Sequence, residues 1–288
     1  MKRFLMLFIC LCLCAGLFPM TAAAAPEWPS DVSIQADAGI VMDSDTGTVL
    51  YGKNMDQPYY PASITKILTA LIVLEQCDLN EMVTFSHDDV YNVEAGSSSA
   101  GIDEGDVLTV RDCLYALMLA SANESANALA CHVSGSREAF AQLMNEKAAE
   151  LGCTNTHFTN PHGLHNENHY SSARDMITIT QYAMSLPYFT EITGTTTYNY
   201  YPQQDPEDIR SANTTNRMLT NYASDGGSYY YPYATGIKTG STPEAGYCLA
   251  ASATRENRNL ISVVMGCERE PGTSGSEGYI YFDETIPP

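Results

Sequence analysis

The sequence predicts an α+β protein in which strands from both ends of the chain form one antiparallel sheet, with a mostly helical lobe inserted between them. Two β-type apolar runs lie near the amino terminus, and two more close the globular part before Gly266. Between these runs, apolar residues recur at helical spacing. A chain of 288 residues with 44% hydrophobic residues suits one large domain, or a domain with a modest second lobe.

The first 25 residues have the composition of a secretory signal peptide. Lys2 and Arg3 precede the apolar stretch Phe4 to Phe18, and the small residues of Thr21 to Ala25 offer cleavage sites. The apolar stretch is short for a membrane-spanning helix, and no later stretch is apolar enough to span. We therefore expect an exported protein without a transmembrane helix once the signal is removed.

The charge balance excludes some classes of partner. The formal charge is 14 − 34 = −20, and it becomes 12 − 34 = −22 without Lys2 and Arg3. So acidic a protein is poorly suited to nucleic acid or to anionic lipid surfaces.

Six cysteines follow the signal, and none has Cys-x-x-Cys or Cys-x-x-His spacing. Most of them lie in apolar helix or strand patterns, which favours buried thiols and leaves a disulfide open. They are Cys77, Cys113, Cys131, Cys153, Cys248 and Cys267.

The remaining patterns place the elements in order. A hairpin is predicted over residues 36–51, and Pro61 introduces a helix over about 63–75. Residues 81–106 are polar, with an irregular segment at 96–99, and Thr109–Asp112 is a capping pattern for the next helix. Further helices are predicted over about 124–133, 137–151 and 178–186. Tyrosine-rich short strands and loops follow over 195–233, and strands over 247–252 and 260–266 flank a polar turn.

Ser63 and Lys66 are the first candidate catalytic pair. Positions i and i+3 share one face of a helix, so the hydroxyl and the amine can meet. The pair suits a serine nucleophile with an adjacent amine as its base. The alternative is a serine cap with a solvated lysine, and Ser-x-x-Lys taken alone is a weak pattern.

Two further motifs could complete that site. The chain after the signal has only four lysines, and Lys238 begins Lys238-Thr239-Gly240-Ser241, just before a predicted strand. This motif offers a cation, a hydroxyl and a glycine that lets a ligand approach the backbone. Ser121-Ala122-Asn123 offers a hydroxyl and an amide at a junction between helices. Ser125 and Ser211 also begin Ser-x-Asn patterns, but only Ser121 falls in the break between two predicted helices.

Ser-x-x-Lys, Ser-x-Asn and Lys-Thr-Gly, in that order, form the signature of the penicillin-recognising serine enzymes. Over about residues 36–266 the chain resembles the low-molecular-weight penicillin-binding proteins that act as D-alanyl-D-alanine carboxypeptidases. The resemblance implies a β-lactamase/transpeptidase-like fold with a catalytic domain over residues 26–267. The blocks that carry it are Tyr60–Lys66, Gly96–Ser98, Leu119–Ala126, Asn155–Leu164 and Gly236–Gly240.

The resemblance implies a reaction at the terminal D-Ala–D-Ala bond of peptidoglycan pentapeptides. Ser63 would attack the carbonyl and become the acyl ester, Lys66 would take its proton, and Ser121 would relay a proton to the leaving D-alanine. β-Lactams would bind covalently to the same serine. No metal and no organic cofactor is implied.

The resemblance also implies how the substrate is held. Asn123 would fix the peptide backbone and the Lys66 side chain. Lys238, Thr239 and Gly240 would line the carboxylate end of the substrate. The N–H groups of Ser63 and Ser241 would form the oxyanion hole. We expect a monomer that acts outside the cytoplasm, at the cell wall or the membrane face.

The chain departs from the family pattern at three places. Ala122 and Ser241 stand where relatives often have glycine and histidine, and the change at 241 should be tolerated because that residue acts through its N–H. Residues 268–288 form a short tail where relatives usually continue into a β-rich domain and an anchor. Arg269 is the nearest candidate there for an arginine that binds the substrate carboxylate.

Three other functions stay open. A serine β-lactamase would share the nucleophile, but no Glu-x-x-x-Asn lies in a suitable loop after Ser121. A catalytically silent penicillin-binding sensor would not need the complete set of motifs. A zinc-dependent D,D-carboxypeptidase would need metal ligands, for which we interpret the histidines of one loop as structural instead. These are His157, His162, His165 and His169.

Overall fold

The computed structural model describes residues 32–221 and 229–268. The predicted signal peptide and Arg269 lie outside the described residues, as does all but the first residue of the predicted tail. The described strands are β1 Ala38–Asp43, β2 Val49–Lys53, β3 Met82–Thr84, β4 Val107–Thr109, β5 Thr197–Tyr200, β6 Arg210–Asn213, β7 Ala234–Thr242, β8 Gly246–Arg255 and β9 Arg258–Cys267. The α-helices are α1 Lys66–Gln76, α2 His87–Tyr91, α3 Val110–Leu119, α4 Asn123–Ser134, α5 Arg137–Glu150, α6 Ala173–Met184 and α7 Phe189–Gly194.

The sheet built from both chain ends is confirmed. Its five strands lie in the order β2-β1-β9-β8-β7, and every pair is antiparallel. The first strand pairs with the last, so that Ile40 lies opposite Val263. Glu256 and Asn257 both have positive φ in the turn between β8 and β9, as type I′ hairpin turns require.

The sheet separates two hydrophobic clusters. Along β8, Cys248 and Ala250 belong to the large core shared with the helices, whereas Leu249 and Ala251 face a smaller cluster on the other side. This alternation follows from the two-residue period of a strand. The helical lobe therefore packs on one face of the sheet, and β7 forms the edge beside it.

The helix that carries Ser63 begins differently from the prediction. Residues Ala62–Thr65 form a 3₁₀ helix, and the α-helix begins only at Lys66. No side chain caps this end, so Ser63 is not a helix cap. The capping pattern at Thr109 is confirmed, because the Thr109 and Asp112 side chains form a capping box at the start of α3.

Three helices differ from the sequence interpretation. α6 begins five residues earlier than predicted, because the Ser172 side chain accepts a hydrogen bond from the Asp175 N–H and caps it there. The five-residue α2 lies within the polar stretch over residues 81–106, for which no helix was predicted, and Ser86 and Asp89 form its capping box. α7 was not predicted, since its six residues are too few to show a helical period.

The six cysteines after position 31 are all free thiols. Three of them are buried, in agreement with the apolar patterns around them, and the rest are half-buried. Among the described residues, no helix combines the length and hydropathy that a membrane crossing requires.

Candidate active site

The 3₁₀ turn brings Ser63 and Lys66 together, as the spacing predicts. Lys66 Nζ lies 3.1 Å from Ser63 Oγ. A 3₁₀ helix has three residues per turn, so positions i and i+3 lie directly above each other. The serine is half-buried and therefore within reach of a ligand, whereas the lysine has no exposed surface.

Two carbonyl groups orient the Lys66 amine. Nζ lies 2.7 Å from Asn123 Oδ1 and 2.8 Å from the His162 backbone oxygen. Both oxygens can only accept, so a neutral amine donates its two N–H groups to them. Its lone pair is then left for the hydroxyl proton of Ser63, which is the geometry that a general base needs.

The surroundings of Lys66 favour that neutral form. Burial holds the pKa of Lys66 well below its ordinary value, and the nearby cation of Lys238 lowers it further. The negative charge of Glu124 acts in the opposite direction on the pKa of Lys66. Burial also lowers the pKa of Lys238, to about 7.

The Lys-Thr-Gly motif lies on the edge strand β7, beside the 3₁₀ turn. Lys238 is fully buried, and its Nζ donates to the Thr239 carbonyl oxygen at 3.0 Å. Thr239 Oγ1 lies 2.5 Å from Thr215 Oγ1, and the Thr215 N–H donates to the Leu119 oxygen at 3.2 Å. Thr215 thus connects the edge strand to the end of α3, a role that the sequence did not indicate.

Two glycines allow close contacts with the 3₁₀ turn Ala62–Thr65, called the serine turn because it carries Ser63. A Cβ at Gly240 would lie 2.9 Å from the Ser63 nitrogen, and a Cβ at Gly163 would lie 1.9 Å from the Ala62 oxygen. Gly163 also has a φ of +87°. Ser241 follows on β7, exposed and paired with Tyr247. Glycine is therefore required on both sides of the turn, as the close-approach interpretation of Gly240 suggested.

Ser121 lies in the break between α3 and α4, where the sequence placed it. Its φ is +60°, and its buried Oγ has no hydrogen-bond partner within the part of the chain that the structure describes. The two other Ser-x-Asn motifs are elsewhere: Ser125 lies inside α4 and donates to the Cys113 oxygen, and Ser211 lies on β6. Of the three Ser-x-Asn motifs, only the one that begins at Ser121 contacts the Lys66 amine, through the side-chain oxygen of Asn123.

The Gly96–Ser98 block is held against the start of α4. The Asn123 N–H donates to the Ser98 oxygen at 3.0 Å. Glu124 Oε1 accepts from Ser99 Oγ at 2.8 Å and from the Ala100 N–H at 2.7 Å. Glu124 is only 2% exposed, so it holds this segment from the interior. No sequence pattern signals this role, because it depends on contacts between separate segments.

The loop histidines have structural contacts. His169 Nδ1 accepts from the Thr159 N–H at 3.1 Å, so its Nε2 carries the proton and donates to Thr65 Oγ1 at 2.9 Å. Burial lowers the pKa of His169 to about 3, which keeps the ring neutral. Within residues 32–221 and 229–268, none of the loop histidines belongs to a group of potential metal ligands.

The antiparallel sheet, the helical lobe and the serine–lysine pair between them define the class of DD-peptidases with the β-lactamase/transpeptidase fold. The chain belongs to the D-alanyl-D-alanine carboxypeptidase family, whose profile matches residues 21–269. This confirms the fold and the family that the three motifs indicated.

Individual relatives agree with this assignment. The chain is 37% identical over 241 residues to the D-alanyl-D-alanine carboxypeptidase DacF of Bacillus subtilis, covering 82% of this chain and 59% of the relative. It is 35% identical to a D-alanyl-D-alanine carboxypeptidase of a Streptomyces species, covering 90% and 89%. The crystal structure of a Streptomyces DD-transpeptidase superposes with a TM-score of 0.76 at 33% identity, covering 90% of this chain and 95% of that one.

Proposed function

We propose that the protein is a serine-type D-alanyl-D-alanine carboxypeptidase that removes the terminal D-alanine from peptidoglycan stem peptides and binds β-lactams covalently. The observation that carries this proposal is the Lys66 amine, fully buried, 3.1 Å from Ser63 Oγ and held by two acceptors. Burial without a carboxylate in hydrogen-bond contact lowers the pKa of this amine, so that it can accept a proton.

In the first half of the reaction, Ser63 Oγ attacks the carbonyl carbon between the two D-alanines while its proton moves to Lys66 Nζ. The N–H groups of Ser63 and Ser241 stabilise the oxyanion that forms. When the C–N bond breaks, the leaving nitrogen takes a proton by way of Ser121 Oγ. The products are free D-alanine and an ester on Ser63.

In the second half, water attacks the ester carbonyl and gives a proton to the amine of Lys66. The C–O bond to Ser63 breaks, the hydroxyl regains its proton, and the shortened peptide leaves. No redox step and no co-reactant besides water is needed.

The carboxylate end of the substrate meets Lys238 and Thr239 on the edge strand. Because the pKa of Lys238 is about 7, its ammonium form is accessible near neutral pH and is favoured further by an anionic ligand. Asn123 holds the substrate backbone, and Gly240 leaves room for it beside the serine turn.

The wider setting of this proposal follows the family. We assign the catalytic domain to residues 26–267 and expect the protein to be exported and to act as a monomer at the cell wall or the outer face of the membrane. The reaction itself would use no metal and no organic cofactor. These proposals draw on the signal-peptide pattern and on family membership.

One experiment separates carboxypeptidase, β-lactamase and sensor. The protein is incubated with a labelled penicillin and, separately, with diacetyl-Lys-D-Ala-D-Ala. We expect a long-lived adduct and D-alanine release, both lost in Ser63→Ala. Rapid penicillin turnover without D-alanine release would identify a β-lactamase, and an adduct with no peptide turnover would identify a sensor.

Matched serine variants test the proton relay in the same assay. Ser121→Ala should lower the rate of D-alanine release by about 100-fold or more, the usual contribution of a positioned proton-transfer group. Ser211→Ala, in a Ser-x-Asn motif on β6, should leave the rate unchanged. Equal rates for Ser121→Ala and Ser211→Ala would remove Ser121 from the mechanism.

Transpeptidation is a second candidate, because the superposed Streptomyces structure is that of a DD-transpeptidase. The acyl group would then pass to an amine rather than to water, forming an amide and freeing Ser63. Adding glycylglycine to the peptide assay distinguishes the two outcomes. A transpeptidase yields mostly the amide product, whereas a carboxypeptidase yields the shortened acid even with the amine present.

A further inference from the structure

Three potential metal ligands converge at a place that the reaction does not use. Cys77 Sγ, a carboxylate oxygen of Glu81 and a ring nitrogen of His132 all lie within 4.8 Å of one another. Cys77 is the residue directly after α1, Glu81 precedes β3, and His132 lies in the last turn of α4. His132 and Glu81 are 51 residues apart in the chain, so no local motif announced the cluster.

The fold already orients the carboxylate of Glu81. Its Oε1 accepts from the Asp78 N–H at 2.7 Å, and this contact directs Oε2 toward His132 Nε2, 2.9 Å away. The backbone of Glu81 is fixed as well, since its carbonyl oxygen accepts from the Val110 N–H. A carboxylate with one oxygen anchored by a hydrogen bond and the other directed at a second potential ligand is the usual arrangement of a metal ligand with its supporting contact.

The three side chains of the cluster are partly exposed to solvent and partly buried. The side chain of His132 is 24% exposed and that of Glu81 is 45% exposed, whereas Cys77 is half-buried. An ion can therefore enter from the side of Glu81, with the sulfur at the inner wall.

The chemistry of the three groups narrows the choice of ion. Thiolate, imidazole and carboxylate together are the ligand types of Zn²⁺ and of similar transition metals, while Ca²⁺ and Mg²⁺ prefer oxygen ligands alone. Zn²⁺ ligand bonds of about 2.0–2.3 Å put tetrahedral ligands about 3.5 Å apart. The three ligand atoms here lie within 4.8 Å of one another, and the Glu81 and His132 atoms are 2.9 Å apart. Each distance is therefore within about 1.5 Å of the value that a bound ion requires.

We propose that Cys77, Glu81 and His132 form a three-ligand site for Zn²⁺ or a related divalent transition metal, with a water molecule in the fourth position. Binding replaces the thiol proton of Cys77 and the hydrogen bond between Glu81 and His132 with bonds to the ion. The thiol proton leaves to solvent, and the imidazole proton that Nε2 donated to Glu81 is carried on Nδ1 instead, so that the Nε2 lone pair can bind the ion. No redox change is involved.

This site would connect the far ends of two helices that matter for the reaction. α1 begins with Lys66 and α4 begins with Asn123, while Cys77 and His132 lie at or next to their carboxyl ends. The 11 residues of α1 place the metal site about 16 Å along the helix from the amine. The ion would thus join the two helices without contacting the substrate, and the proposal does not depend on the catalytic one.

The test is a titration of the full, reduced protein with Co²⁺, which reports sulfur ligation by a near-ultraviolet charge-transfer band and tetrahedral geometry by visible bands. We expect one Co²⁺ per chain with both signals, and both should vanish when Zn²⁺ is added. Cys77→Ser should abolish the near-ultraviolet band. His132→Gln should weaken Zn²⁺ binding by about tenfold or more, measured by competition.

Cys131→Ser is the matched control, because Cys131 is also half-buried and is adjacent to His132 but is not in the cluster. It should bind Co²⁺ as the unaltered protein does, and circular dichroism checks that each variant is folded. A charge-transfer band that survives Cys77→Ser or disappears in Cys131→Ser overturns the assignment. So does a failure of the unaltered protein to bind Co²⁺.

Discussion

Gly240 lies so close to Ser63 that no side chain fits between the edge strand and the serine turn. A Cβ on residue 240 would come within 2.9 Å of the Ser63 nitrogen and 3.0 Å of the Ile64 nitrogen. In the proposed reaction the Ser63 N–H is one oxyanion donor and Ser241 supplies the other. The contact at Gly240 therefore fixes the distance between the two donors.

Gly240→Ala should impair acylation more than it impairs folding. The added methyl must push β7 away from the 3₁₀ turn, and overpacking of this kind costs about 1–3 kcal/mol of stability. Because the oxyanion donors separate, we expect the penicillin acylation rate to fall by about 100-fold, comparable to the loss of one such donor. Stopped-flow acylation and urea unfolding measure the two effects.

Gly105→Ala provides the control for that variant. Gly105 lies in the loop before β4 and has a φ of +88°, but no atom lies within 4 Å of the position that a Cβ would take there. Alanine at this position should cost stability through backbone strain while the acylation rate stays normal. If Gly240→Ala behaves like Gly105→Ala, the close contact has no catalytic role.

Lys238→Met should raise the pKa of Lys66. The cation at 238 is one of the causes that lower this pKa, so its removal makes the ammonium form of Lys66 easier to keep. In the proposed reaction acylation requires the neutral amine, so the rising limb of the pH–rate profile should move to higher pH. Acylation will also be slower overall. The pH at the midpoint of the rising limb, which reports the pKa, is measured independently of the maximal rate.

NMR of lysine labelled with ¹³C at Cε gives a second measure of the same shift without a substrate. Lys147→Met is the control, because Lys147 forms its ion pairs with Glu75 and Glu150 rather than with the site. We expect no change in the Lys66 titration in that variant. An unchanged Lys66 pKa in Lys238→Met would show that the charge of Lys238 does not contribute to it.

The sequence located the groups of the proposed reaction because their geometry is local or is carried by strong patterns. Ser63 and Lys66 meet through three-residue spacing, whereas Lys238 was located by the Lys-Thr-Gly motif, ahead of the strand predicted over 247–252. The sheet from both chain ends followed from the apolar β-type runs near each end of the chain. What local patterns could not show was that the serine turn is 3₁₀, since this depends on Gly163 and Gly240 packing on its two sides.

The sequence could not predict the groups that orient the Lys66 amine and connect the segments around it, for a different reason. The carbonyl oxygen of His162 acts through the backbone, which every residue possesses. Thr215 and Glu124 are common residues whose partners come from distant segments. Each contact exists only after tertiary packing, so neither residue type nor spacing carries a signal for it.

His169 should make the protein less stable as the pH falls. Burial lowers its pKa from 6.5 to about 3, so between these values the unfolded chain binds a proton that the folded protein does not. Stability is therefore retained above pH 6.5 and lost as the pH falls toward 3, by about 1.4 kcal/mol per pH unit well inside that range. Urea unfolding at pH 7 and pH 5 should differ by about 2 kcal/mol from this group.

His169→Asn should remove that dependence. The amide oxygen can accept from the Thr159 N–H in place of Nδ1, although the bond to Thr65 is lost, so the variant is less stable at pH 7 but has a flatter profile. His87→Asn is the control, since His87 is an exposed partner of Glu104. A profile that is equally steep in His169→Asn assigns the pH dependence to other groups.

Glu124→Gln should shift the acylation profile in the direction opposite to Lys238→Met. The charge of Glu124 raises the pKa of Lys66, so the neutral amide lets that pKa fall further and moves the rising limb to lower pH. The amide oxygen can still accept from Ser99 and from the Ala100 N–H, whereas Glu124→Ala loses both contacts and should also slow acylation. Shifts of the same sign in Glu124→Gln and Lys238→Met would contradict an electrostatic effect on Lys66. Opposite shifts would show that the pKa of the Lys66 amine depends on both a cation on the sheet, Lys238, and an anion on α4, Glu124.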